Sequence, residues 1–348
     1  MLAPKLRFKE FNDEWKKVKI NKILKIKHGK NQKEIECING KYPILGTGGI
    51  IGTTNTPAYL KESVLIGRKG TIDKPMYINI PFWTVDTLFY SDVSSKYNVK
   101  FIYYLFNTIN WKKYDESTGV PSLSANTIEN IDVNISLKKE EQLKISQFLS
   151  LVDKKIELQQ RKIEVLKMYK RRQISYFFNK STSYSTCLLK NICQNISSNI
   201  SLSNTENKFG KYKLYGANGI VGTTSSPLVS VPYIAIIKDG AGVGKSFICE
   251  SNSSFLSTMT GIVPTQCTVE YLKIILDSIN FSKYIVGSGI PHIYFNDYKN
   301  EKIKLIPYKN QLKLSEFLCA INIKIETLNS KLHILKDFKK SLLQQMFI

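Results

Sequence analysis

The segment nearest to a catalytic motif is residues 239–246, DGAGVGKS, which approaches the phosphate-binding pattern GxxxxGK[ST]. In that pattern, backbone N–H groups and the lysine hold phosphates at the start of a helix. Here Asp239 replaces the first glycine and would place a carboxylate beside the phosphates. Residues 247–249, Phe-Ile-Cys, predict a strand where the helix should begin. We therefore interpret the segment as a tight basic turn between strands and predict no nucleotide site there.

No other catalytic arrangement is recognisable in the chain. It has three histidines and lacks GxSxG, HExxH and the Asn-Pro-Pro-aromatic tetrapeptide with which amino-methyltransferases hold a flipped base. The six cysteines form no CxxC pair, so neither a zinc site nor a disulfide framework is predicted. Nothing in these residue patterns points to a particular enzyme, a metal site or a bound cofactor.

The charge of the chain indicates a polyanionic partner. Lys and Arg number 50 against 28 Asp and Glu, a net charge of +22, and nucleic acid is the commonest partner of so basic a protein. Several loops combine cations for phosphates with polar side chains for base edges, although a solvated loop side chain remains the alternative for each residue. The candidates for DNA contact are Lys30, Asn31, Thr53, Thr54, Asn55, Arg68, Lys69, Thr71 and Ser122 in the first half, and Asn199, Asn218, Thr223, Thr224, Lys238, Lys245 and His292 in the second.

The sequence contains an internal repeat with a period near 170 residues. Residues 40–54, GKYPILGTGGIIGTT, match residues 210–224, GKYKLYGANGIVGTT, at nine of fifteen positions, and the same shift of 170 places Gly70 on Gly240 and Pro121 on Pro291. Short apolar runs that end in glycine-rich turns predict strands in each copy. A change to helical spacing predicts one short helix near residues 99–113 and another near 269–284. Each copy is therefore predicted to be an α+β module.

A long helix with a heptad pattern follows each module. Its apolar residues recur at steps of three and four, and the two patterns superpose with a shift of 169. Matched seams predict that the helices pack as an antiparallel intramolecular coiled coil with pseudo-twofold symmetry, in which Lys170 and Lys339 extend their amines to water. The seam residues are Leu149, Val152, Ile156, Ile163, Leu166, Leu318, Ile321, Ile325, Leu328, Leu332 and Leu335.

These patterns divide the chain into four parts. The first module covers residues 1–138, the first helix 139–179, the second module 187–308 and the second helix 309–348, with a polar linker at 179–186. No segment has the roughly 20 apolar residues of a membrane span or the pattern of a signal peptide, so a cytoplasmic location is expected.

Over nearly its whole length the chain resembles the specificity (S) subunits of type I restriction-modification systems. The resemblance rests on residues 65–70 (LIGRKG), 117–124 (STGVPSLS), 140–145 (EEQLKI) and 287–293 (GSGIPHI), in this order in a chain of two modules that each precede a long helix. The second copy departs from it in Asn310-Gln311-Leu312-Lys313, which replaces the opening EEQ, and in Lys238-Asp239-Gly240-Ala241.

The resemblance implies a function and a set of partners. Each module would be a target recognition domain for one half-site of an asymmetric, bipartite double-stranded DNA target, and the helices would set the spacer. The subunit would be non-catalytic and would hold two methyltransferase (M) subunits and, through them, restriction (R) subunits. S-adenosylmethionine and ATP with Mg²⁺ would belong to those partners.

Candidates for the M contact are the exposed helix faces and the tail residues Leu342, Leu343, Met346, Phe347 and Ile348. Closure of the coiled coil is the alternative role for the tail. A coiled-coil scaffold whose end modules bind protein, and a solitary enzyme, are the alternative functions.

Overall fold

The computed structural model describes residues 2–180, 184–202 and 210–348. The chain divides into unit 1, Met1–Arg161 with Asn329–Ile348, and unit 2, Lys162–Leu328. Each unit contains one module together with part of both long helices. The predicted linker lies partly outside the described residues, at 181–183, and its last residues Ser185 and Thr186 already belong to a strand.

The module of unit 1 is built from a four-stranded sheet of order β2-β8-β5-β6, a three-stranded sheet of order β4-β3-β7, and the pair β1-β9. The buried strand Ser63–Gly67 lies inside the larger sheet, between β8 and β6. The elements in chain order are β1 (Lys16–Lys19), β2 (Leu24–His28), β3 (Tyr42–Gly46), β4 (Gly49–Thr54), β5 (Ser63–Gly67), β6 (Met76–Ile78), β7 (Trp83–Thr84), β8 (Leu88–Val93), α1 (Val99–Phe106), α2 (Ala125–Glu129), β9 (Asp132–Ile135) and α3 (Lys139–Lys180).

The module of unit 2 has the same strand orders: β11-β17-β14-β15, β13-β12-β16 and β10-β18. The bulge that interrupts the β3–β4 ladder between Ile44 and Leu45 recurs in the β12–β13 ladder between Leu214 and Tyr215. The elements are β10 (Ser185–Leu188), β11 (Cys193–Ser197), β12 (Tyr212–Gly216), β13 (Gly219–Thr224), β14 (Tyr233–Ile237), β15 (Ser246–Cys249), β16 (Ser254–Phe255), β17 (Met259–Pro264), α4 (Val269–Ser278), α5 (Phe295–Tyr298), β18 (Lys302–Leu305) and α6 (Tyr308–Met346). The predicted α+β fold with an internal repeat is confirmed.

The single short helix predicted for each module is wrong in its extent. α1 ends at Phe106 and a separate 3-10 turn covers Trp111–Tyr114, because the buried Trp111 indole turns back to donate to the Phe106 carbonyl at 2.8 Å. In unit 2, α4 ends at Ser278 and a 3-10 turn covers Phe281–Lys283. The short helices α2 and α5 were not predicted.

Within each unit the long helices pair in opposite directions. The first part of α3 contacts the last part of α6 in unit 1, and the last part of α3 contacts the first part of α6 in unit 2. All predicted seam residues are sheltered: Leu149, Val152, Ile163, Leu318 and Ile321 are buried, and Ile156, Leu166, Ile325, Leu328, Leu332 and Leu335 are half-buried.

The two seam lysines do not extend freely to water as expected, because each meets a polar residue of the opposite helix. Lys339 Nζ lies 2.6 Å from Asp153 Oδ1, and Lys170 Nζ donates to Asn322 Oδ1 at 2.8 Å. Asp153 and Asn322 are themselves related by the shift of 169. Burial and the nearby Lys273 charge lower the pKa of Lys170, and Asp277 only partly opposes them.

Introducing a carboxylate opposite Lys170, like Asp153 opposite Lys339, should stabilise unit 2. The substitution Asn322→Asp converts a neutral acceptor into a charged one at hydrogen-bond distance, and we expect a gain of about 1 kcal/mol. All three tryptophans, Trp15, Trp83 and Trp111, lie in unit 1, so the gain should appear in urea unfolding followed by far-ultraviolet circular dichroism but not by tryptophan fluorescence. Asn329→Asp, at an exposed site of the same helix, is the control, and an equal gain there would contradict the pairing.

A buried glutamine joins each module to the start of its long helix. Gln142 Oε1 accepts from the Asn98 backbone N–H at 2.8 Å, and its Nε2 donates to the Ser136 carbonyl at 2.7 Å. Gln311 makes the equivalent bonds in unit 2, accepting from the Thr268 N–H at 3.0 Å and donating to the Ile306 carbonyl at 2.9 Å. The opening of the second helix therefore keeps the glutamine of the first, although the residues before it differ.

Among the described residues, the helices are each too short or too polar to cross a lipid bilayer.

Candidate nucleic-acid interface

Two loops of unit 1 are joined by a short backbone ladder, formed by residues 67–71 after β5 and residues 115–123 before α2. Gly70 N–H donates to the Pro121 carbonyl at 2.8 Å, and Leu123 N–H donates to the Arg68 carbonyl at 2.9 Å. Between these bonds, Lys69 and Ser122 face each other in an isolated antiparallel bridge. We call these two segments the ladder loops of unit 1. They bring together four predicted DNA contacts, Arg68, Lys69, Thr71 and Ser122.

Unit 2 repeats the ladder with the same hydrogen bonds. Gly240 N–H donates to the Pro291 carbonyl at 2.8 Å, and Ile293 N–H donates to the Lys238 carbonyl at 2.9 Å. Asp239 and His292 face each other in the antiparallel bridge. Residues 237–246 and 285–293 are the ladder loops of unit 2, and they bring Lys238 and His292 together.

The glycine after the bridge is required by the backbone. Gly70 has φ +86° and Gly240 has φ +95°, a region that side chains other than glycine rarely adopt. Each glycine turns the chain so that its N–H reaches the proline carbonyl of the opposite loop. The shared glycine and proline positions of the repeat are thus explained by one hydrogen bond per unit.

The second ladder loop is closed in both units by one backbone hydrogen bond, from Glu116 N–H to the Ser122 carbonyl at 3.0 Å and from Val286 N–H to the His292 carbonyl, but its other bonds differ. In unit 1, Asp115 Oδ1 accepts from the backbone N–H groups of Ser117 and Ser122 at 3.0 and 2.9 Å, and these bonds lower the pKa of Asp115. In unit 2, Val286 and His292 exchange two backbone hydrogen bonds of 2.9 Å. The backbone course is preserved while the side chains that support it have changed.

The second ladder loop of each unit carries an exposed apolar residue before its proline that the sequence analysis missed. Val120 is 67% exposed and Ile290, 170 residues later, is 70% exposed. Both precede the proline of the ladder. The signal that could have found them is the common phrase Gly-Val/Ile-Pro, which the repeat keeps although a solvated loop does not need an apolar residue.

The predicted cations near the ladders differ in exposure and in the partners of their charged groups. Arg68 is half-buried and Nη1 donates to the Asp86 carbonyl at 3.4 Å, whereas Lys69 is exposed. Lys238 Nζ lies 2.6 Å from Asp239 Oδ2, so its charge is partly neutralised. Lys245 is exposed in the turn between β14 and β15, and the antiparallel pairing of these strands confirms that the glycine-rich segment is a strand-to-strand turn.

The side chains of a second group of candidates are hydrogen-bonded to neighbouring loops of the protein. Thr53 Oγ1 accepts from the Gly40 N–H at 2.9 Å and donates to the Cys37 carbonyl, and Asn55 Oδ1 accepts from the Lys41 N–H at 3.1 Å. Thr223 repeats the first of these bonds, with the Gly210 N–H at 3.0 Å. The hydroxyls of Thr54 and Thr224 bond to the loops that follow their strands. These side chains position loops, a role that residue type alone does not reveal.

The remaining candidates lie apart from the ladder bridges. Lys30 and Asn31 are exposed, and Asn31 Oδ1 accepts from the Lys33 N–H at 3.0 Å. Thr71 is half-buried just beyond the ladder of unit 1. Asn199 and Asn218 are exposed on loops of unit 2.

The tail residues mostly belong to the core of unit 1. Leu342, Met346 and Phe347 are buried, and Phe347 packs between the rings of Trp15 and Phe101. Leu343 is half-buried and Ile348 is exposed. For most of the tail, the structure therefore favours the alternative role, closure of the helical pair.

A shallow apolar groove of about 440 Å³ runs along the helix pair of unit 2. It is lined by Val165, Leu166, Tyr169, Phe317, Ala320, Ile321 and Lys324. The shift of 169 relates these positions to Ile334, Leu335, Phe338, Phe148, Leu151, Val152 and Lys155 of unit 1. The same apolar and basic residue classes therefore occur in both units.

The described part of the chain contains no group of three or more His, Cys, Asp or Glu side chains arranged to hold a metal ion.

Comparison with known proteins gives a family and a fold. Residues 12–168 match the family model described as the type I restriction modification DNA specificity domain. A comparison with curated proteins finds no match.

Two solved structures share the architecture. The S subunit of a type I restriction-modification system from M. genitalium is 18% identical, with a TM-score of 0.71 over 100% of this chain and 99% of that one. A chain from a structure of complex assembly and conformational transition in the type I R-M system is 11% identical, with a TM-score of 0.55 over 95% and 97%. Residues 12–168 are thus similar to type I restriction-modification DNA specificity domains, and the chain has the fold of a type I specificity subunit.

Proposed function

We propose that the chain is the DNA-specificity subunit of a type I restriction-modification complex and binds an asymmetric, bipartite duplex target. The observation that carries the proposal is the duplicated ladder, which presents the same backbone and different side chains in each unit. Two ladders with the same backbone geometry and different side chains suit two half-sites of different sequence. The net charge of +22 supplies the attraction to phosphates that any such protein needs.

The long helices would set the distance between half-sites. Two recognition modules can read one face of a duplex when their half-sites are about one helical turn apart, roughly 34 to 36 Å. The spacer of the target is therefore expected to follow helix length. Exchange of residues 190–305 for the corresponding part of another family member should alter one half-site and leave the other unchanged.

Binding should weaken steeply with salt. Each phosphate contact contributes about 0.9 to the slope of log affinity against log salt on duplex DNA, because condensed counterions are released. The test uses the chain together with its methyltransferase subunits, selection from random-sequence duplexes, and titration of the selected duplex at several salt concentrations. A selected bipartite sequence with a steep slope supports the proposal. A flat response without sequence selection would favour a scaffold whose modules bind protein.

We also propose that the chain holds two methyltransferase subunits, one on each copy of the helix-pair groove. The argument is the duplication, because two equivalent surfaces on one chain suit two copies of one partner. An apolar strip with a lysine at its edge fits an amphipathic helix that carries acidic residues beside its apolar face. Restriction subunits would bind through the methyltransferase subunits. S-adenosylmethionine and ATP would be bound by these partner subunits and not by the chain itself.

A charge in one groove should remove one methyltransferase subunit. Val165 is 51% exposed and lines the groove of unit 2, so Val165→Asp should reduce the stoichiometry in native mass spectrometry from two to one. Adding Ile334→Asp at the equivalent position should remove both. Met168, equally exposed at 51% and outside the groove lining, gives the matched control Met168→Asp, which should keep two. Two subunits on the Val165→Asp variant would exclude this groove as the contact.

A further inference from the structure

The ladder loops hold one position in each unit where the backbone is conserved and the chemistry is reversed. Lys69 faces Ser122 in unit 1, and Asp239 faces His292 in unit 2. A shift of 170 relates both members of the two pairs. The flanking hydrogen bonds agree within 0.1 Å, at 2.8 and 2.9 Å in each unit. The difference between the pairs is thus a difference of side chains on one frame.

The members of each pair present their side chains together. Residues directly opposite each other in an antiparallel bridge point to the same face, with Cβ atoms about 5 Å apart. Lys69 is exposed, and Ser122, Asp239 and His292 are each partly exposed, so both pairs are accessible to a ligand. Two adjacent polar side chains match the size of the edge of one base pair in the major groove.

The pair of unit 1 offers mainly hydrogen-bond donors. The Lys69 ammonium has three donors and no acceptor, and the Ser122 hydroxyl both donates and accepts. Guanine is the base whose major-groove edge presents two acceptors, O6 and N7. The Lys69–Ser122 pair is therefore suited to guanine.

The pair of unit 2 offers acceptors. The Asp239 carboxylate has two oxygens, of which Oδ2 receives the Lys238 amine at 2.6 Å. His292 Nδ1 lies 3.3 Å from the Ile290 carbonyl oxygen, which can only accept, so Nδ1 is the donor in this contact and Nε2 is the ring nitrogen left for a base. Acceptors suit the amino group of cytosine or adenine.

The residue before the bridge is cationic in both units, Arg68 in one and Lys238 in the other. A feature common to both units cannot distinguish two half-sites, whereas it can serve a task common to both, such as phosphate binding. The Lys238 amine also fixes one oxygen of Asp239, which orients the carboxylate. The cation common to both units is therefore assigned to phosphate binding, and in unit 2 it also orients the bridge residue Asp239.

We infer that the bridge pairs Lys69–Ser122 and Asp239–His292 are specificity-determining residues, the first for a guanine in one half-site and the second for a base with an amino group in the other. This inference rests on the proposed DNA-specificity function and adds to it the positions that read bases. Asp239 enters here as a base-reading residue, although its charge alone would exclude it from a phosphate-binding loop.

Exchange of the pairs tests the inference. The variant Lys69→Asp with Ser122→His is purified with the methyltransferase subunits and used to select from random-sequence duplexes, beside the wild type. We expect the preference at one base pair of one half-site to change from guanine to cytosine or adenine, by roughly 5- to 150-fold in relative affinity. The other half-site should stay unchanged.

Three controls separate the possible outcomes. Lys74→Asp makes the same charge change at an exposed lysine outside the bridge, and it should weaken all sequences equally. Tryptophan fluorescence reports whether unit 1 of the exchanged variant is folded; if it is not, the reciprocal exchange Asp239→Lys with His292→Ser in unit 2 decides. Folded variants that keep both wild-type half-sites overturn the inference and leave the proposed function intact. A wild-type complex that selects no sequence overturns both.

Discussion

Glu141→Ala should destabilise unit 1 by about 3–5 kcal/mol, because it removes a fully buried carboxylate and leaves the Arg7 guanidinium, only 12% exposed, without its partner. The Glu141 side chain is fully buried at the start of α3 and receives Arg7 Nε at 2.7 Å and Nη2 at 2.9 Å. Trp15 Nε1 lies 3.3 Å from the same carboxylate. Burial alone would raise the pKa of Glu141, but hydrogen bonds from Arg7, Ser136 and Trp15 and the Arg7 charge lower it.

The lowered pKa gives the effect a pH dependence of known sign. A carboxyl whose pKa is depressed by folding stabilises the folded state fully above its unfolded value, about 4.3, and loses this contribution as pH falls through the folded value. The difference between wild type and Glu141→Ala should therefore shrink on acidification below about pH 4. It should be constant near neutrality.

Urea unfolding followed by tryptophan fluorescence measures the change, since all three tryptophans are in unit 1. Asp132→Ala is the matched control: its partner Lys17 lies 3.3 Å away with both side chains largely exposed, and such pairs contribute less than about 1 kcal/mol. Glu141→Gln keeps the shape and loses the charge, so it should fall between the two. Equal losses in Glu141→Ala and Asp132→Ala would show that the buried pair has no special weight.

Phe347→Ala should cost unit 1 a similar amount, about 3–5 kcal/mol, because it removes a buried aromatic ring and leaves a cavity. The Phe347 ring is packed edge-on against Trp15 at 6.1 Å and tilted against Phe101 at 5.2 Å between ring centroids. The loss should be visible as a lower urea midpoint in tryptophan fluorescence. The emission of the folded state should also change, since Trp15 loses a direct neighbour.

The neighbouring residue supplies the control for this prediction. Ile348 is 47% exposed, so Ile348→Ala should change the free energy of unfolding by less than about 1 kcal/mol. If Phe347→Ala were as mild as Ile348→Ala while the methyltransferase no longer bound, the tail would be a partner contact rather than a part of the core.

Much of the architecture could be predicted because it is encoded in repeated spacing. The shift of 170 between the modules and the heptad steps of the helices are periodicities, and periodicity survives even where side chains differ. The α+β class followed from short apolar runs between glycine turns. The break after Phe106 did not, because the helix ends where the buried Trp111 indole donates to the Phe106 carbonyl, and this contact depends on tertiary packing. The break after Ser278 was also not predicted.

The candidate site was less predictable for a related reason. Residue type identifies Thr53 and Arg68 equally well as polar candidates for DNA contact, but only the folded structure shows that the hydroxyl of Thr53, in β4, is bonded to the loop before β3. For Asp239, residue type is misleading in the opposite way. Its negative charge argues against phosphate binding, but the fold places it opposite His292 in the ladder, where it becomes a candidate for base contact. Facing partners across a ladder are remote in sequence and cannot be recognised from spacing.

The buried glutamines at the start of α3 and α6 restrict how each module can move. Rotation of a module about the first turn of its long helix would break both hydrogen bonds made by the side-chain amide of Gln142 or Gln311. Each buried backbone group left without a partner would cost about 1–3 kcal/mol. Within a unit, the joint should therefore transmit torque instead of bending. A ligand that rotates a module would therefore rotate the adjoining helical segment of the same unit with it.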